Sequence, residues 1–233
     1  VTLKRISGCS TEQPVVLPNN EEDMQVMEPT VKRFITGPIE TNTYVLSKED
    51  GAGVIIDPSS GCAEVLKYCD DQQIRIEAIC LTHCHFDHFM GIEEIIFLYP
   101  EAAVWVHPLE KPFLASNELN GSYLMGMNIS YGGPIQELYE GAMMIGGFEF
   151  KVLHVPGHSP GSCAFIIGRC CFSGDTLFAG SIGRFDFPGC NGAALVKNIR
   201  EKLFVLPEDT IVFPGHGGRT SIKREKHYNP YFK

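Results

Sequence analysis

The stretch LTHCHFDHFMG, residues 81–91, sets three histidines and an aspartate within six positions, His83 to His88, where the apolar run IEAICLTH passes into a helical one. Groups that carry or acquire charge are costly to bury alone, so they are rarely stacked this densely without a shared partner. A metal ion suits them, because it needs neutral imidazoles and carboxylates converging to within about 2 Å. An extended strand end points His83 and His85 the same way. The turn into the following helix swings Asp87 and His88 toward a neighbouring position, so the four donors serve two ions more easily than one.

Further donors stand in glycine-flanked turns: His158 in VPGHSPG, Asp175 in FSGDTLF and His216 in FPGHGG. In each, an apolar strand ends in a turn of small residues that carries one ligand-type side chain. Three such turns exceed the chance scatter of eight histidines. A closed structural site for one metal would leave several of these groups without use.

Strands and helices alternate between these points. TNTYVLSK and GAGVIIDP read as strands, CAEVLKYCDDQ as a helix, IEAICLTH as a strand, FMGIEEIIFLYP as a helix stopped by Pro100, and AAVWVH as a strand. The second half is richer in strands: PIQEL, MIGGFEFKVLHV, GSCAFIIG and RCCFSGDTLF, then a helix near GAALVKNIREKLF and a last strand, TIVFPGHG. This is an α/β pattern of two sheets covered on their outer faces by helices. Residues 111–134 have little period and many Asn, Gly and Met, which suits an active-site wall or lid. Residues 1–29, with three prolines and the acidic cluster NNEED, read as an N-terminal extension ahead of a domain over 30–233.

The net charge of −9, from 19 basic and 28 acidic residues, argues against a nucleic-acid binder, and the basic SIKREKHYNPYFK tail reads as a solvated helix. No apolar run is long enough for a membrane span or a signal peptide, so a cytoplasmic location is expected. The nine cysteines are scattered, odd in number and set in apolar runs, as buried free thiols are. Cys84, between two donors, is turned away from them by strand alternation. His107, His154 and His227 read as structural. A monomer and a homodimer are equally compatible with the chain.

THCHFDH, PGHSPG, GDTLF and PGHG match, in order, the T-H-x-H-x-D-H and later ligand motifs of the metallo-β-lactamase superfamily, and the chain over residues 31–233 resembles that family. GDTLFAGSIGRFDFPG and PGHGGRTSIKREKHYNPY resemble its hydroxyacylglutathione hydrolase (glyoxalase II) group, in particular the short single-domain members. The resemblance implies a four-layer αβ/βα sandwich with a dinuclear centre at one edge. His83, His85 and His158 then hold one metal, Asp87, His88 and His216 a second, and Asp175 bridges them. The metals implied are zinc first, with iron or manganese as alternatives, since mixed His and carboxylate sites accept several borderline ions.

Such a pair of ions makes hydroxide available near neutral pH and polarises a carbonyl. The implied substrate is a small thioester of the S-lactoylglutathione type, whose thiolate leaves without a strong general acid. Asp87 is read first as a ligand and second as a proton acceptor. Asp57, in VIIDP, is either a carboxylate that orients a ligand histidine or a turn-forming Asp-Pro. Arg184, in GSIGRFD, falls where longer members carry a lysine that grips a glutathione carboxylate; it also stands close enough to Asp186 to pair with it. The C-terminal helical domain with which longer members bind the glutathione glycine end is not matched in this sequence, so the resemblance carries the hydrolytic chemistry further than it carries specificity for glutathione. Persulfide dioxygenase, lactonase and lactamase are the rival readings, and an RNA-processing nuclease is disfavoured by the lack of a positive groove.

Overall fold

A computed structural model describes residues 29–233. The extension expected over 1–29 thus lies, Pro29 apart, outside the described residues.

The first sheet contains β1 (Thr30–Thr36), β2 (Thr41–Ser47), β3 (Ala52–Ile56), β4 (Arg75–Cys80), β5 (Ala103–Val106) and β6 (Gln136–Glu137), in that spatial order. Its first three strands are antiparallel, and β3 to β6 run parallel. Helix α1 (Ala63–Asp71) provides the crossover from β3 to β4, and α2 (Phe86–Phe89) with α3 (Ile92–Leu98) that from β4 to β5.

The second sheet is built from β7 (Gly141–Ile145), β8 (Phe148–His154), β9 (Cys163–Ile167) and β10 (Cys170–Gly174). A small hairpin, β11 (Leu177–Phe178) and β12 (Ser181–Ile182), precedes the last strands, β13 (Ile211–Pro214) and β14 (Thr220–Ser221). Its order is β14-β13-β10-β9-β8-β7, antiparallel except for the β10–β13 pair.

Side-chain alternation makes the layers. On β2 and β3, Tyr44, Leu46, Val54 and Ile56 face the second sheet, while Val45 and Ile55 face α1 and α3. On β9, Cys163, Phe165 and Ile167 meet the first sheet, whereas Ala164 and Ile166 pack under the helix that begins at Gly192. Three buried apolar layers therefore separate four layers of secondary structure, an αβ/βα sandwich.

Local readings differ from the structure in several places: MIGGFEFKVLHV, read as a strand, turns at Gly146 and Gly147 between β7 and β8, and RCCFSGDTLF divides into β10 and β11. The helix read over FMGIEEIIFLYP starts only at Ile92, as α3, while Phe89 ends the separate turn α2; the break falls at Gly91, whose N–H donates to Pro58 O at 2.9 Å. A Cβ at Gly91 would lie 2.1 Å from Ser59 O, so the chain passes too close for a side chain. Residues 111–134 are not irregular throughout: they contain α4 (Lys111–Ala115), α5 (Asn117–Asn120) and a 3-10 turn at Ser122–Met125, with Phe113, Leu114 and Tyr131 buried in the core. The run TVKRFIT forms β1, which its short, weak alternation did not announce.

The last two helices, α6 (Gly192–Asn198) and α7 (Ile222–Tyr228), cover the second sheet. Among the described residues no helix is long and apolar enough to cross a membrane.

Phe165 is fully buried between the sheets, its ring 5.8 Å from that of Phe150 in an edge-on contact. Phe165→Ala is expected to cost about 3–5 kcal/mol of unfolding free energy in urea. Phe97→Ser, at a side chain 84 % exposed on α3, is expected to stay within about 0.5 kcal/mol of the parent protein. A small effect at Phe165 would show that the inter-sheet layer is not a packed core.

Candidate metal centre

All seven donors singled out in the sequence come together at one edge of the sandwich. β4 delivers the loop with His83 and His85, and α2 carries Asp87 and His88 on one turn. His158 sits in the turn between β8 and β9. Because β10 and β13 run parallel, their carboxyl ends open on the same edge and bring Asp175 and His216 beside the others.

Two triads result. In the first, His158 Nε2 lies 2.8 Å from His85 Nδ1 and 3.1 Å from His83 Nε2. In the second, Asp87 Oδ2 lies 3.2 Å from His88 Nε2 and 3.3 Å from His216 Nε2. Asp175 stands between them, with Oδ1 3.5 Å from His88 Nε2 and Oδ2 3.7 Å from His158 Nε2 and 3.6 Å from His216 Nε2. The donor atoms within each triad, and those of His83, His88 and Asp175, lie within 4.8 Å of one another.

The surroundings decide which ring nitrogen carries a proton. His158 Nδ1 lies 2.8 Å from Arg184 O, and His88 Nδ1 lies 3.0 Å from Asp57 Oδ2. Both oxygens can only accept, so each Nδ1 donates and each Nε2 presents a lone pair inward. Thr82 Oγ1 donates to Asp57 Oδ2 at 2.6 Å, which leaves it to accept from His83 Nδ1 at 3.1 Å. The Nε2 atom of His83 is thereby also left as a lone pair.

A cation fits this arrangement. His88 Nε2 and Asp175 Oδ1 are buried with no hydrogen-bond partner. Such orphaned atoms cost about 1–3 kcal/mol each unless something occupies the gap they face.

Charge balance points the same way. Burial, followed by the neighbouring imidazoles, holds His83 and His85 well below the ordinary histidine range, and burial also lowers His158. Burial would raise Asp87, but His88, His216 and Thr41 outweigh it and hold its carboxyl well below the usual range. Burial disfavours charge on His88 as well, yet Asp87, Asp175 and Asp57 raise it well above an ordinary histidine. A proton on His88 and a cation among these carboxylates answer the same excess of negative charge.

Asp57 is 1 % exposed and lies behind His88, with φ 52°, a left-handed conformation that only short polar side chains tolerate well. Besides His88 and the Thr82 hydroxyl, it accepts Thr82 N at 2.8 Å. It therefore orients a donor and does not reach the pocket. Thr41 went unnoticed in the sequence: its hydroxyl donates to Asp87 Oδ2 at 2.6 Å. Asn42 likewise ties β2 to the His216 turn through Pro214 O and Gly217 O. Threonine and asparagine at a strand start carry no local signal of such contacts.

The donors open into a pocket of about 550 Å³ walled by Ile39, Leu124, Met125, Phe178 and Phe187, with Arg184 at its lip. Arg184 lies 3.5 Å over the Phe187 ring and pairs in the plane with Asp186, Nε to Oδ1 at 2.8 Å and Nη2 to Oδ2 at 3.0 Å. The pairing left open in the sequence is thus present, and part of the guanidinium's donor edge is already taken. Cys84 is buried on the helix side of the first sheet, its thiol pushed well up by burial. Cys62, Cys69, Cys80, Cys163 and Cys171 are likewise buried free thiols, and Cys190 is a partly exposed one. His107 and His154 stack at 4.2 Å outside the site, and His227 bonds Lys223 O on α7.

Residues 36–216 match the model of the metallo-β-lactamase superfamily, and the chain belongs to that superfamily. It is 38 % identical to the probable metallo-hydrolase YqgX of Bacillus subtilis, over 86 % of this chain and 96 % of that protein. It is 32 % identical to the hydroxyacylglutathione hydrolase GloC of Haemophilus influenzae, over 82 % and 92 %. Among solved structures, the B3 metallo-β-lactamase BLEG-1 superposes with a TM-score of 0.83 at 38 % identity, covering 87 % of this chain and 99 % of that one. TTHA1623 in a di-iron-bound form does so with 0.78 at 37 %, covering 86 % and 100 %. Fold, donors and kinship together define a metal-dependent hydrolase with donor sets for two ions.

Asp57→Ala leaves the Thr82 N–H and hydroxyl and His88 Nδ1 without their acceptor. It is expected to destabilise the metal-stripped protein by about 2–4 kcal/mol in urea. Asp57→Asn, which keeps one acceptor and tolerates the positive φ, is expected to lose less. Equal stabilities of parent and Asp57→Ala would show that the carboxylate does not organise the site.

Proposed function

We propose that this protein hydrolyses an activated acyl bond of a small molecule at a two-ion centre, with His83, His85 and His158 holding one ion, Asp87, His88 and His216 the other, and Asp175 between them. The observation that carries this reading is the pair of adjoining triads opening into one largely apolar pocket. A bound pair of divalent ions supplies hydroxide near neutral pH and a Lewis acid for the carbonyl oxygen. Zinc, iron and manganese all suit mixed imidazole and carboxylate donors, and the di-iron form of TTHA1623 supports iron.

The chain's own residues do the rest. Thr41 holds the Asp87 carboxylate, Asp57 holds His88, and the Arg184 carbonyl holds His158, so the donors do not reorganise during the reaction. The apolar wall of Ile39, Leu124, Met125 and Phe178 excludes water from an acyl group laid against it. Asp87 serves first as a donor to an ion and second as a group placed to accept a proton from the attacking water.

Apart from the donors themselves and Arg184, the residues lining the pocket include no titratable group. With no separate acid to protonate a leaving group, the bond broken is one whose leaving group departs readily. A small thioester meets that condition through its thiolate, and a strained ring meets it through the strain that opening relieves. A strained lactam or a lactone is supported by the similarity to BLEG-1, at higher identity than the hydroxyacylglutathione hydrolase GloC; a small thioester is supported by GloC and by the ease with which thiolate leaves.

The test is a panel containing S-lactoylglutathione, a simple acyl thioester, a chromogenic β-lactam, a lactone and a persulfide. Protein reconstituted separately with zinc, manganese and iron is assayed beside His85→Ala. Hydrolysis of a lactam, lactone or thioester, lowered at least about a hundredfold in the variant, is the expected result. Oxygen consumption with the persulfide and no hydrolysis would replace the hydrolase reading with the dioxygenase one.

A further inference from the structure

Glu110 lies on the 3-10 turn Pro108–Glu110, between β5 and α4, and is 1 % exposed. Its carboxylate receives three donors. Oε2 accepts from Cys84 N at 2.7 Å, and Oε1 accepts from Ser159 Oγ and Gly161 N, both at 2.7 Å. Burying a carboxylate is costly unless its oxygens are filled, and here backbone amides and a hydroxyl fill them.

The positions of those donors matter more than their number. Cys84 lies between His83 and His85, on the loop leaving the first sheet. Ser159 follows His158, in a turn of the second sheet. The Ser159 hydroxyl and amide are further tied to Ser162 Oγ, at 2.7 and 3.0 Å, so the turn moves as a unit. At Gly161 a Cβ would lie 2.9 Å from Glu110 Oε1 and 2.7 Å from its Cγ, so the turn is pressed directly onto the carboxylate. The backbone link between the same two segments is Cys163 N to Thr82 O at 2.8 Å, on the far side of the donors in sequence.

We propose that Glu110 is a positioning residue for the metal centre: its carboxylate clamps the His83–His85 loop of one sheet to the His158 turn of the other, and so sets the opening of the first triad and its affinity for an ion. The inference rests on reading the seven donors as a two-ion centre. The second triad does not depend on this clamp, because Thr41 holds Asp87, Asp57 holds His88, and Asn42 holds the His216 turn. A glutamine cannot substitute, since it offers one accepting oxygen and turns an amide N–H₂ toward groups that themselves donate.

The experiment titrates metal-stripped full-length protein with Co²⁺ against a chromophoric chelator. Ion content is measured by mass spectrometry, and visible absorption reports the geometry of each cobalt. The parent protein, Glu110→Gln, Ser159→Ala and His85→Ala are compared. The parent is expected to take up two ions. Glu110→Gln is expected to weaken one of them by about tenfold or more, with a changed absorption band, and to keep the other unchanged; the weakened ion is the one that His85→Ala loses. Ser159→Ala removes one of the three donors and is expected to weaken the same ion to a lesser degree.

Unchanged constants in Glu110→Gln, or equal weakening of both ions, would overturn the clamp and reduce Glu110 to a fold residue. If Glu110→Gln does not fold, Ser159→Ala decides, and an unchanged first-triad constant there overturns the proposal. A parent protein that binds no ions would instead overturn the two-ion reading, and the clamp with it.

Discussion

Seven lone-pair donors drawn within a few ångströms of one another repel unless a cation lies among them. Most of the surrounding polar structure exists to hold them there. Asp57, Thr82, Thr41 and the Arg184 carbonyl each take up the outer face of a donor, so that its inner face has nowhere else to turn. The energy for this comes from elsewhere, from the apolar layers that lock the two sheets face to face. The donors thus sit where the sandwich ends, and His88 Nε2 and Asp175 Oδ1 are buried there without a partner.

The same geometry explains why the pocket is apolar above a polar floor. The floor carries the donors, while the wall is contributed by the segment around Leu124 and Met125 and by Phe178 and Phe187, whose rings stand edge-on to His216 and His85. Arg184 spans both: its carbonyl orients His158, while its side chain, stacked on Phe187 and paired with Asp186, forms part of the lip.

Legibility in the sequence followed the range of the interaction. The donors were readable because each motif is local: HCHFDH packs its ligands into one turn, and the later three each stand in a short glycine-bounded loop. Helix α1 was readable for the same reason. The break at Gly91 was not, because it is set by the approach of Ser59, over thirty positions away. The short helices α4 and α5 were hidden in a segment whose apolar residues, Phe113, Leu114 and Tyr131, are buried by the core and not by any regular period.

By itself, then, the sequence carried the class of chemistry, two sheets covered by helices and the candidate donor side chains, since these rest on residue type and on spacing within a few positions. Only the tertiary structure decided which ring nitrogens face inward, that Asp57 lies behind His88 and acts through it, that Thr41 holds Asp87, and that Glu110 joins the two sheets behind the centre. Those are properties of distances between segments far apart in the chain, as the 172 positions that separate Asn42 from Pro214 show. Such distances exist only once the two sheets have packed.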